Sequence, residues 1–218
     1  FLALERIMPG GSLISSDGVA AMVELARERA REQGVQNVEF KQLQLEWVDQ
    51  ATASVDAVLI KWAVMLLVDP SAALRECRRV LKPAGRLSLA VWDTAERNPW
   101  SSLPHRAMQE LGYSEPPAPG PGMFALSAPG QLQGLLEDAG FMDIEVEPIG
   151  FQRAYPNLNA WIGEMIDLSR GFKTAWSQLD DGQRQLLRER LSELTAAFTG
   201  ADGSLILGAR SLGAAASA

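Results

Sequence analysis

Residues 73–93 read ALRECRRVLKPAGRLSLAVWD. The first half has a helical period. Ala73, Leu74, Cys77, Val80 and Leu81 fall on one stripe, and Arg75, Glu76, Arg78 and Arg79 on the wet side. Pro83-Ala84-Gly85 then turns the chain into an apolar strand at 86–92. The preceding stretch, 54–70, reads SVDAVLIKWAVMLLVDP. Its run at 55–60 is almost wholly apolar, as expected of a strand covered on both faces. Asp69-Pro70 opens the helix, with proline in its first turn. Strand, helix and strand joined by short turns predict an α/β fold with a mostly parallel sheet.

The pattern continues upstream. Residues 12–16 form a short strand closed by Asp17, and 19–33 a helix with Met22, Val23, Ala26 and Ala30 on one face. Gly34 stops it at C′, and 37–43 is a second strand. Residues 1–6 (FLALER) read as a helix in progress with no cap residue before it. Together with a start at Phe1 rather than methionine, this sets the expectation that the chain lacks its N-terminal part.

Downstream, 94–127 is rich in Pro and Gly, including Pro116-Pro117 and Pro119-Gly120-Pro121-Gly122. It predicts a long loop with a short helix lying over a site. A helix at 128–139 capped by Gly140 leads into a strand at 144–149. Helices follow at 158–168 and 181–198, and then a last edge strand at 205–216. Two strands separated by those helices can pair antiparallel. The expected organisation is one domain over 1–218, with 94–127 and 157–199 as lid segments.

Composition narrows the function. The 218 residues carry 20 Lys+Arg against 27 Asp+Glu, a net charge of -7. Such a chain is a poor polyanion binder, so no nucleic-acid partner is expected. One cysteine excludes an internal disulfide. The apolar run at 63–68 is far short of the roughly 20 residues of a membrane helix, so no membrane span is expected. No signal peptide is visible, which makes the cytoplasm the default compartment.

Several residues sit where chemistry is done. Asp17 ends a strand before a helix, and ligands of open α/β folds bind at the carboxyl ends of strands. An acid there accepts hydrogen bonds from both hydroxyls of a ribose; it is also a good helix N-cap. Lys61-Trp62 follows the apolar strand and either lines a cofactor cleft or, for Trp62, joins the core. His105, the only histidine, reads as a surface or packing residue, and Cys77 as a core thiol. No spacing suits a metal, no G-x-S-x-G occurs, and neither Tyr113 nor Tyr155 is followed four residues later by lysine. No catalytic residue is assigned.

The stretches 12–30 (SLISSDGVAAMVELARERA), 37–47 (NVEFKQLQLEW), 54–70 and 73–93 resemble the class I S-adenosylmethionine-dependent methyltransferases, of the type that includes ubiquinone and menaquinone biosynthesis enzymes. The RVLKPAG junction is the most specific mark. ERNPW (96–100), GMFALSAPGQLQGLLEDAGF (122–141) and the final helices extend the resemblance over nearly the whole chain.

The resemblance implies a Rossmann-like three-layer sandwich, a mostly parallel sheet with an antiparallel edge strand, and S-adenosyl-L-methionine as cofactor. It implies that Asp17 binds the ribose, that Met22, Gln44 and Leu45 lie near the adenine, and that Lys61 and Trp62 meet cofactor and substrate. Gln44-Leu45 departs from the family's frequent aspartate. The first strand and glycine loop of the family are not in these residues, which weakens the cofactor binding expected of them.

The leading expectation is methyl transfer to a small organic molecule held among Met65, Trp92, Trp100, Met123, Phe124 and Trp161, since apolar and aromatic walls suit such a ligand. A nicotinamide-dependent oxidoreductase on the same fold and a non-catalytic remnant are the alternatives. Asp17 serves a dinucleotide ribose equally well.

Overall fold

The computed structural model describes residues 2–7, 9–116 and 120–218. The expected helix start at Phe1 and the prolines at 117 and 119 lie outside them. In chain order the elements are α1 (Leu2–Ile7), β1 (Leu13–Asp17), α2 (Ala20–Glu32), β2 (Val38–Gln42), β3 (Val55–Lys61), α3 (Pro70–Val80), β4 (Leu81–Trp92), α4 (Pro99–Glu110), α5 (Gln131–Asp138), β5 (Met142–Tyr155), α6 (Leu158–Leu168), α7 (Arg170–Gln178), α8 (Asp181–Thr195) and β6 (Leu205–Ser217).

β1 and β2 pair in parallel as a two-stranded sheet. The second sheet has the order β3-β4-β6-β5. β3 and β4 are parallel, and β6 runs antiparallel to both of its neighbours. The antiparallel strand therefore lies one place inside the edge, with β5 outside it, where the sequence suggests an edge strand at 205–216. The reason is that β6 hydrogen-bonds along both of its edges, with β4 over Arg86 to Trp92 and with β5 over Met142 to Tyr155, and at Gly213 a Cβ would sit 2.5 Å from Ile149 Cδ1.

The helix at 70–80 forms as its stripe dictates. Asp69 Oδ1 accepts the Ala72 N–H at 2.8 Å, and Ala73, Leu74, Cys77 and Val80 are buried. The KPAG segment is no free turn. It lies within β4, which begins at Leu81 opposite Val55, with the register shifting between Val55 and Ala57. Gly85 is needed for close approach: a Cβ there would meet the Lys82 carbonyl at 2.9 Å and the Asp56 carbonyl at 3.1 Å.

α3 and α5 pack on the face carrying Ile60, Leu87, Leu89 and Ala214. The other face differs from the expectation of a strand buried on both sides. Leu59 is 64% exposed, and an open trough of about 420 Å³ runs between Leu59, Lys61, Ser88, Ala90, Ile149 and Gly213. An apolar run encodes a strand, but nothing among the described residues covers Leu59 on that side. Likewise Met22, expected on the buried face of α2, is half exposed, while Val23 and Ala30 are buried.

Segment 94–127 holds a full twelve-residue helix, α4, with Pro104 inside it. Proline lacks the N–H that would bond the carbonyl of Trp100. That buried carbonyl instead accepts Trp161 Nε1–H from α6 at 2.8 Å. The helix survives its proline because a second helix supplies the missing donor. α7 is absent from the sequence reading; Ser169 caps it, accepting from Phe172 N at 3.2 Å.

Replacing Trp161 by Phe should cost at least about 1–3 kcal/mol in urea unfolding, since a buried acceptor is left unpaired and packing is lost as well. In a Pro104→Ala background, where the restored N–H can bond the Trp100 carbonyl, the same substitution should cost measurably less. Equal costs in both backgrounds would refute this coupling.

Candidate functional site at the carboxyl ends of the strands

Asp17 closes β1, with its carboxylate exposed. Its Oδ1 accepts the Val19 N–H at 2.8 Å, and its backbone carbonyl accepts Leu43 N–H at 3.1 Å. This is an Asx turn leading into α2 rather than the N-cap itself, which is Val19 and makes no side-chain cap bond. No donor among the described residues reaches Oδ2, so that oxygen faces solvent. Met22 stands exposed in the first turn of α2. Gln44 is exposed and bridges Trp47 through the backbone, while Leu45 is half buried against the core.

Lys61 and Trp62 end β3. Trp62 has φ +56°, a left-handed conformation that costs a side-chain-bearing residue roughly 1–2 kcal/mol. Its surroundings hold it there. The Trp62 N–H bonds the Ala90 carbonyl at 2.8 Å, and its indole N–H donates to Ser211 Oγ at 3.0 Å. The ring stacks on Trp92 at 4.3 Å and 15°, and Lys61 Nζ lies 4.2 Å from its centroid. Such over-determined strain is a feature of functional positions.

The aromatic column continues inward. Trp92 meets Trp100 at 5.2 Å and Phe151 at 5.9 Å. Arg153 lies 4.2 Å over Trp100 and pairs with Glu164. Tyr155 donates its hydroxyl hydrogen to Glu164 at 2.9 Å and accepts from Arg153 Nε at 2.8 Å. Burial, reinforced by the Glu164 carboxylate, pushes the Tyr155 hydroxyl up to about 12.

Of the expected acceptor-pocket residues, Met65, Trp92, Trp100 and Trp161 are buried, while Met123 and Phe124 are half buried. They are held together. Gly122 N–H bonds the Met65 carbonyl at 3.0 Å, and Ser101 Oγ–H contacts Met123 Sδ at 3.1 Å.

The buried amide of Asn98 organises this end of the sheet. Nδ2 reaches the carbonyls of Asp93, Thr94 and Arg210 at 3.0, 3.1 and 2.9 Å. Oδ1 accepts from Arg210 N at 3.0 Å and Trp100 Nε1 at 3.3 Å. The buried Asp93 carboxylate pairs with the Arg210 guanidinium. Asn98→Ala should lower stability by at least about 1–3 kcal/mol in chemical denaturation, because buried carbonyls lose their donor; an unchanged midpoint would refute this.

Sequence reasoning missed Arg153, Tyr155, Glu164, Phe151, Ser211 and Arg210 as members of this cluster. They come from β5, α6 and β6, and no local motif links them. Asn98 and Asp93 lie inside quoted stretches, but their role depends on β6 arriving beside β4. Cys77 is a buried thiol pushed up to about 12 by burial. His105 packs edge-on to Phe172 at 6.3 Å and lies 3.4 Å from Ser169 Oγ, and burial lowers its pKa.

The unfolded chain takes up the His105 proton at a higher pH than the folded one. Stability should therefore be level above about pH 6.5 and fall as the pH drops toward the lowered folded value. As His105 is the only histidine, His105→Asn should flatten unfolding midpoints measured between about pH 7 and 5.5. A slope unaltered by the substitution would disprove the assignment.

The described geometry has parallels in known proteins. The methyltransferase-domain family matches residues 2–89. The chain is 26% identical to an arsenite methyltransferase of Halobacterium salinarum over 148 residues, covering 68% of this chain and 35% of that protein. It is 28% identical to the ubiquinone/menaquinone biosynthesis C-methyltransferase UbiE of Pectobacterium atrosepticum over 175 residues, covering 75% and 65%. The YcgJ protein of Bacillus subtilis superimposes with a TM-score of 0.61 at 19% identity, over 94% of this chain and 82% of that one.

Residues 2–89 match the methyltransferase-domain family, and the chain shares the Rossmann-like fold of the solved methyltransferase structures. S-adenosylmethionine is the cofactor that this family implies. The chain spans about one third and two thirds, respectively, of the two curated relatives. The fold does not by itself name a reaction: the [4+2]-cyclase SpnF shares it at a TM-score of 0.53 and 17% identity, over 99% of this chain and 70% of that one.

Proposed function

We propose that this methyltransferase moves a methyl group from S-adenosylmethionine to a small organic acceptor. The observation that carries the proposal is the exposed Asp17 carboxylate at the end of β1, within the residues matched by the methyltransferase-domain family. One carboxylate oxygen is tied to Val19 N–H and shapes the turn. The other is open to hydroxyl donors, so the site suits a ribose.

When bound, the cofactor supplies an electrophilic methyl group on a sulfonium. The chain's own residues then bind and orient. Asp17 accepts from the ribose hydroxyls, Met22 and Leu45 flank the adenine with apolar surface, and Gln44 offers its amide to the base edge. Lys61 and Trp62 stand where cofactor and acceptor meet. Segments 94–127 and 157–199 cover the acceptor and exclude water, with Met65, Trp92, Trp100, Met123, Phe124 and Trp161 as the apolar wall. Alignment of acceptor and methyl group then supplies much of the catalysis, and no dedicated base is assigned.

Titration calorimetry with S-adenosylhomocysteine and, separately, NADH tests the cofactor. The expected result is binding of the first alone. Asp17→Ala should weaken it by about 1.5–3 kcal/mol, the scale of a charge-assisted hydrogen bond, alongside a small drop in unfolding midpoint from the lost Val19 turn bond. A lower midpoint with unchanged affinity would assign Asp17 to the turn only.

A further inference from the structure

The ring of Trp62 has two faces. Trp92 stacks on one at 4.3 Å. Lys61 Nζ lies 4.2 Å from the same centroid, and sterics put it on the other. On that outer face the exposed Lys61 side chain lies against the ring. A cation over a partly buried indole is held by roughly 0.5–2 kcal/mol, so an arriving ring can compete for its place.

Charge decides what kind of ring. The acids and bases nearby on the column are matched: Asp93 pairs with Arg210, and Glu164 with Arg153. Lys61 has no carboxylate partner among the described residues. Glu145 and Glu147, which line the same trough, stand on β5. That strand is three places from β3, about 14 Å by strand spacing. The end of β3 is therefore an aromatic platform, with Phe151 at 6.5 Å from Trp62 as its flank, next to one uncompensated ammonium.

We propose that Lys61 and Trp62 select a planar aromatic acceptor bearing an ionised oxygen, phenolate or carboxylate. Lys61 is the place-holder on Trp62 that the acceptor ring displaces. The ring stacks on the indole, and the freed ammonium swings on its four-carbon stem to pair with the oxygen. This deepens the methyl-transfer reading and rests on it. The acceptor's proton leaves to bulk water on ionisation. The oxyanion then forms the O–CH₃ bond as the C–S bond breaks, and the electron pair of that bond stays on sulfur as a neutral thioether. Lys61 favours the ionised acceptor, which is the nucleophilic form, and needs no neighbouring base.

The test is calorimetric and independent of turnover. 2-Naphthoate, neutral 2-naphthamide and non-planar cyclohexanecarboxylate are titrated into the protein, with S-adenosylhomocysteine in a parallel cell. 2-Naphthoate should bind at least tenfold more tightly than either comparator. Lys61→Met, a change at an exposed side chain, should erase the preference of naphthoate over naphthamide. Trp62→Leu, or Phe151→Leu if the former is unstable, should weaken both aromatic ligands. The inference is overturned if the preference survives Lys61→Met, if no aromatic ligand binds, or if Lys61→Met weakens only S-adenosylhomocysteine, which would give the lysine to the cofactor. Loss of S-adenosylhomocysteine binding in the wild type, with the aromatic anion preference intact, would sink the methyl-transfer reading and leave the anion site standing.

Discussion

The fully buried amide of Asn98 is the constraint on which the carboxyl end of the large sheet depends. It takes both a donor and an acceptor from the backbone at Arg210 and meets the carbonyls that end β4. A buried amide with these bonds fixes where β6 meets β4, because a slip of one residue would strand polar groups without water. That register puts Ser211 opposite Trp92, within reach of the Trp62 indole N–H. The strained backbone of Trp62 and the stack on Trp92 both follow from it.

A second dependence runs through the helices. Pro104 removes one donor from α4, and Trp161 on α6 restores it from outside. A local fault in one helix thus becomes a tie between two. The tie positions Trp100, on which Arg153 lies and beside which Tyr155 and Glu164 are set. The column from Trp62 to Trp161 is held by directional bonds at both ends, so its rings have little freedom to repack.

Charge follows the same division between inside and outside. Arginines neutralise the acids within the column, as Arg210 does Asp93 and Arg153 does Glu164. Lys61, at the exposed end, has only an indole face to lie on. Buried ions need partners, whereas an exposed ammonium is stabilised by water. The unpaired charge is therefore found at the surface, where a ligand can reach it.

The sequence by itself determined much of the local structure. The stripe Ala73-Leu74-Cys77-Val80 specified α3, Asp69 its start, and the alternation at 86–92 the strand after it. Those signals depend on neighbours a few residues away and need no knowledge of the fold. The RVLKPAG stretch likewise marked the family. Only the tertiary structure decided that the small-residue run 213–216 is an interior strand, that a proline sits inside a complete helix, and that one face of β3 is bare. It also decided which strand-end residues share an environment. Asp17 makes a turn as well as ending a strand, and Asn98, Arg153 and Ser211 join a cluster that no spacing announces. Their partners lie far along the chain, and register, burial and hydrogen-bond satisfaction arise only when the strands meet.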